Sequence, residues 1–226
     1  MEYSANKKIV SLVVGLCFGL LLMGALRLSA VYSNILTPFS RFATPGYILI
    51  TVIFTIFLVR AGLPLNRFGF GIHPDFRQLI LAIAAIALLR LFAVTLNPLI
   101  EDFFGSPRNL ERFANVKGSI VSLVVLLVTN WTIAAFGEEF AYRIVILRGI
   151  SFILGDTPTG KILAVLLQAV MFGLIHTYQG PTGISGSMFS GLVFGTVTIV
   201  SRWSIWPAAV AHGLNNTIGI FALFHG

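Results

Sequence analysis

The chain has 226 residues, of which 57% are hydrophobic and only 10% charged, and its mean hydropathy is +0.93. That balance excludes an ordinary soluble globular domain. The formal net charge of +7 does not point to nucleic acid, because the lysines and arginines flank apolar segments, as membrane topology and anionic headgroups demand.

A spanning helix needs about 20 apolar residues. In chain order, spans are expected at 9–32, 46–59, 78–100, 119–136 running into 138–154, 162–177, 184–200 and 205–224. The basic opening MEYSANKK is not followed promptly by a small-residue cleavage pattern, and the next apolar run is too long for a signal-peptide core. It reads as a retained first helix. Cys17, the only cysteine, lies in that run and reads as a small buried or lipid-facing residue; alone it can form neither an intrachain disulfide nor a cysteine metal site. The stretch 119–154 exceeds one simple span at 1.5 Å rise per residue, so either one long kinked helix or two helices meeting near Gly137 is expected. No soluble domain, repeat or low-complexity linker interrupts the series. The expected fold is all-α: one polytopic membrane domain, 1–226, with about seven or eight helices.

Orientation follows from the basic residues of alternate loops. With seven crossings and the N-terminus inside, the inner side receives Lys7, Lys8, Arg60, Arg67, Arg77, Arg143, Arg148, Lys161 and Arg202. The outer side receives Arg27, Arg41, Arg108, Arg112 and Lys117. This bias favours a cytoplasmic N-terminus, and an eighth crossing would upset the second half of the count. Arg90 stands alone within an apolar helix and is either a snorkelling, carbonyl-capped side chain or a functional one. The stretch 101–117 reads as a solvated connection, His73 as a loop residue before proline, and His225 as part of a frayed end.

Ionisable groups at membrane depth are costly, and they are usually paired, inward-facing and functional. Three apolar segments carry such groups. Within 118–155, Glu138, Glu139 and Arg143 interrupt the hydrophobic run. Glu139 and Arg143, four apart, share a helix face and are placed for an ion pair. Glu138 is rotated by about 100° and is left for other work. Apolar surroundings disfavour the charged carboxylate, which suits Glu138 to the part of a general base. In AVMFGLIHTY, Phe172 and His176 share a face, and in WPAAVAHGLNNTIG so do His212 and Asn216, with Asn215 the weaker candidate. Between them Gly183, Ser187, Gly191 and Gly195 recur every four residues, a small-residue stripe that permits close helix packing around a shared polar cavity. Taken singly, each feature has a structural explanation. An acid pair, a histidine, then histidine plus asparagine on three spans is harder to explain without function.

The blocks EEFAYR (138–143), FGLIH (172–176) and HGLNN (212–216) resemble, in order, the EExxxR, FxxxH and HxxxN motifs of the CPBP family. That family, also called Abi, comprises CAAX prenyl proteases and bacteriocin-processing or self-immunity proteins. The resemblance covers the C-terminal half, 118–226. It implies a metal-independent intramembrane glutamic endopeptidase acting on a membrane-associated or lipidated peptide. Glu138 and His176 would activate a water, His212 and Asn216 would stabilise the oxyanion, and Glu139, Arg143 and Phe172 would support the site. A carboxylate, an imidazole and an amide N–H group are suited to those roles. No cofactor is implied.

Two other readings stand beside it. His176, His212 and Glu138 are sufficient in kind to ligate a catalytic zinc, although the HExxH spacing is absent. A non-proteolytic scaffold or bacteriocin self-immunity protein of the same family would carry the same motifs. A transporter lacks its usual sign, paired discontinuous helices in matching halves. The expected partners are a peptide or protein substrate and the lipid bilayer, with no nucleic acid. The expected location is a bacterial plasma membrane, and the oligomeric state stays open.

Overall fold

A computed structural model describes residues 43–60 and 75–226, together with Val10, Val13, Gly15, Cys17 and Gly69. The expected span 9–32 lies outside the described residues except at four positions, all helical, and His73 lies outside them as well. The helices are α1 (Ala43–Arg60), α2 (Phe76–Phe104), α3 (Ile120–Ile153), α4 (Pro158–Leu174), α5 (Gly180–Val200) and α6 (Trp206–His225). No strand occurs among the described residues. The protein is an all-α polytopic membrane bundle. Three described helices are long and apolar enough to cross a membrane: α2, α3, and α5 with the short turn before it, Thr177–Val200.

Local chemistry sets the helix ends. Asp75 caps α2 by accepting the Gln78 N–H at 2.8 Å, and Thr157 caps α4 by accepting the Gly160 N–H at 3.0 Å, with Pro158 opening that helix. α2 runs beyond the expected boundary because Asn97 donates to Glu101 at 2.8 Å and the stop falls at Gly105, whose φ of 65° suits a residue without Cβ. The stretch 101–117 is therefore only partly a connection, and Glu111–Val116 forms a further short helical turn. The expected fraying at the C-terminus is also corrected. α6 continues to His225, and the Gly118 N–H donates to the Phe224 carbonyl at 3.1 Å.

Of the two expectations for 119–154, one continuous helix is what forms, 34 residues long. Its turns widen over Asn130–Glu138 and again over Phe140–Leu147, a hydrogen-bonding pattern that often marks functional positions. The widening begins where α6 crosses. Asn130 donates to the Gly213 carbonyl at 2.9 Å and to the Thr217 hydroxyl at 3.3 Å, and a Cβ on Gly213 would stand 2.6 Å from the Trp131 ring. Beyond that crossing, Ala141 to Leu147 are all buried and form the centre of the bundle. Arg143 is wholly buried there, so it drops out of the loop-charge count.

The small-residue stripe on α5 faces inward: Gly183, Ser187, Gly191 and Gly195 are buried, and α5 packs closely on α4. A Cβ at Gly191 would lie 2.8 Å from the Ala169 Cα, and one at Gly195 2.6 Å from Gln168 Nε2. Gln168 in turn donates to the Gly191 carbonyl at 2.7 Å, tying the two helices across the stripe. Gly191→Ala is expected to destabilise the bundle by about 1–3 kcal/mol through overpacking against backbone. A lowered thermal midpoint of the purified protein in detergent checks this.

Candidate active site

The three motif-bearing segments meet at one cavity of about 340 Å³. Glu138 from α3, Phe172 and His176 from the end of α4, and His212 and Asn216 from α6 all line it. Glu139 and Arg143 do not; both are completely buried behind its wall.

Glu139 is the hub of that wall. One carboxylate oxygen stands 2.9 Å from Arg143 Nε, as the four-residue spacing predicts. The other accepts the His212 Nδ1–H at 2.8 Å, across 73 residues of sequence. Glu139 therefore does more than brace its own helix: it fixes the orientation of an imidazole on α6. Beyond the ion pair, the Arg143 nitrogens have no hydrogen-bond partner among the described residues. Aromatic rings surround the guanidinium instead, with Phe172 at 4.5 Å, Phe194 at 5.4 Å and Tyr142 at 5.8 Å. Such contacts gain weight when the cation is desolvated.

The two histidines are held differently. His212 stacks on Phe194 at 5.0 Å, and with Nδ1–H donated to Glu139 its remaining nitrogen, Nε2, is the one left for other chemistry. His176 caps its own helix end. Its Nδ1–H donates to the Phe172 carbonyl at 2.7 Å, which makes Nε2 the acceptor of the neutral ring. The Phe172 ring lies 4.8 Å from His176, 5.1 Å from Tyr142 and 6.0 Å from His212, so one side chain spaces both imidazoles.

Several cavity residues are not evident from the motifs. Arg90 lines it from α2 and donates to Asn215 Oδ1, so of its two readings the snorkelling or carbonyl-capped one gives way to a cross-helix contact. Arg108 and Arg112, expected in a solvated connection, reach the cavity because their segment is tied over α5 and the turn before it. The Asn109 N–H donates to the Gln179 carbonyl at 3.0 Å, and Thr182 donates to the Ser106 carbonyl at 2.8 Å. A signal was present for Asn130, an amide inside the apolar run LLVTNWTI. None was present for Arg108 and Arg112.

Fold and site together define a class: an all-α polytopic membrane protein with carboxylate, imidazole and amide groups gathered around one cavity. Residues 120–218 match the family described as type II CAAX prenyl endopeptidase Rce1-like, so the resemblance carried by the three motifs holds over that segment. That family is one of CAAX-type proteases, which are hydrolases. Searches of curated proteins and of solved structures gave no match.

Proposed function

We propose that this protein is an intramembrane endopeptidase that hydrolyses a peptide bond of a membrane-associated or lipidated peptide by a glutamate-activated, metal-independent mechanism. One observation carries the reading: Glu138, His176, His212 and Asn216 line the same cavity, with the Arg143–Glu139–His212 chain buried behind it. Glu138 takes a proton from a water positioned with the help of His176 Nε2, and the water oxygen bonds to the scissile carbonyl carbon. The carbonyl oxygen becomes an oxyanion, which accepts a hydrogen bond from the Asn216 amide, and His212 Nε2 donates a second when the ring carries both protons. Collapse breaks the C–N bond, and the proton held by Glu138 passes to the leaving amine. Glu139 keeps the His212 ring aimed throughout. The loop-charge bias supports a cytoplasmic N-terminus, and a bacterial plasma membrane is the setting we assign.

Comparison of membrane peptides from cells carrying the wild type or Glu138→Gln tests the reading. A full-length peptide that accumulates only with the variant, with its fragments only in the wild type, is the expected result; identical peptide profiles would overturn it. Asn216→Ala is expected to lower turnover about 10²–10³-fold, the usual effect of losing one oxyanion donor, with the thermal midpoint little changed. Metal independence predicts full turnover after chelator treatment. Chelator-sensitive activity restored by zinc would favour His176, His212 and Glu138 as metal ligands instead.

A further inference from the structure

The cavity wall is cationic in a way that hydrolysis does not require. Arg90, Arg108 and Arg112 all line it, whereas Glu138 is the only acidic lining residue among the described residues. None of these arginines makes an ion pair with a carboxylate among the described residues. Their described partners are neutral. Arg90 donates to Asn215, Arg108 donates to Gln179 Oε1 at 2.7 Å, and Arg112 stacks over the Tyr178 ring at 4.5 Å. Arg90 also keeps a buried Nε with no hydrogen-bond partner among the described residues. A cation within an apolar helix that lacks a counter-charge is costly, and a planar guanidinium is the group best shaped to take a carboxylate with two hydrogen bonds.

We infer that Arg90, Arg108 and Arg112 form a subsite for a carboxylate of the peptide substrate, either its free C-terminus or an acidic side chain near the scissile bond. The inference rests on the endopeptidase reading and adds a substrate requirement to it. Three arginines from two segments 18 residues apart in sequence converge on the cavity that also holds Glu138 and Asn216. A carboxylate seated there would anchor one end of the peptide while the bond to be cut lies among the acid, imidazole and amide groups. Arg108 and Arg112 also meet the turn that follows His176, through Gln179 and Tyr178. Occupancy of the subsite is thereby connected to the position of that histidine.

The test uses full-length Glu138→Gln protein in phosphatidylcholine nanodiscs, so that binding is read apart from cleavage. The probes are synthetic apolar hexapeptides, each made as free acid and as C-terminal amide, with a second set differing only by aspartate or asparagine at one position. Retention of one carboxylate form about tenfold above its amide is expected, the effect of one charge-assisted hydrogen bond. The free-acid set assigns the preference to the terminus, and the aspartate set assigns it to a side chain. Arg108→Gln together with Arg112→Gln, both exposed residues, is expected to bring the ratio close to one; Arg90→Gln should do the same from within the bundle. Equal retention of carboxylates and amides would overturn the subsite. So would retention that depends on added phosphatidylglycerol and not on peptide charge, which would assign the cations to lipid headgroups. Failure of the endopeptidase reading is distinct from either: the wild type would leave retained peptides uncut.

Discussion

Replacing Glu138 by glutamine is expected to lower peptide cleavage about 10²–10⁴-fold, the range usually contributed by a positioned general base, while the protein stays folded. Glutamine keeps the shape of the side chain and removes its ability to take a proton. Glu138 is half-buried at the cavity wall, outside the charged chain behind it, so its neutralisation leaves the Glu139–Arg143 ion pair intact. The change should therefore appear in turnover and not in the thermal midpoint. Initial rates on purified protein, with melting followed on the same preparation, check both parts.

The opposite pattern is expected at Arg143. The guanidinium is fully buried, and its only formal counter-charge among the described residues is Glu139. Arg143→Met leaves that carboxylate buried with His212 its one remaining partner among the described residues, and breaking such a pair from one side is expected to cost about 3–5 kcal/mol. Arg143→Met combined with Glu139→Gln removes both charges, and most of the stability should return, because the desolvated carboxylate is gone. The amide oxygen that Glu139→Gln introduces can still accept the His212 Nδ1–H, so the double variant should keep part of its activity. Lysine at 143 is not a conservative replacement: it lacks the planar face that meets Phe172 and Phe194. A double-mutant cycle on unfolding free energy measures the coupling. Losses that simply add would show that the pair does not act as a unit.

What could be read from the sequence follows the range of the interactions involved. Hydropathy locates α1 to α6 to within a few residues, because each helix is a largely apolar run, whether it faces lipid or its neighbours. The Glu139–Arg143 pair was legible because four residues along a helix fix the geometry locally. Glu139–His212 and Arg90–Asn215 were not, since each depends on how α6 packs against α3 or α2, at separations of 73 and 125 residues. The same limit hid Arg108 and Arg112. Their segment has the composition of a solvated loop and becomes cavity wall only through backbone contacts to Gln179 and from Thr182. The wide turns of α3 had only a length anomaly to announce them, together with an asparagine in an apolar run.

These contacts divide the acid pair by position. Glu138 meets the cavity, and Glu139 holds an arginine on one oxygen and a histidine on the other. The most direct test of that division is turnover and thermal midpoint measured side by side for Glu138→Gln and Glu139→Gln. The expected result is loss of cleavage at an unchanged midpoint for Glu138→Gln, and a lowered midpoint with residual cleavage for Glu139→Gln. Full activity in Glu138→Gln, or a stable and wholly inactive Glu139→Gln, would contradict it.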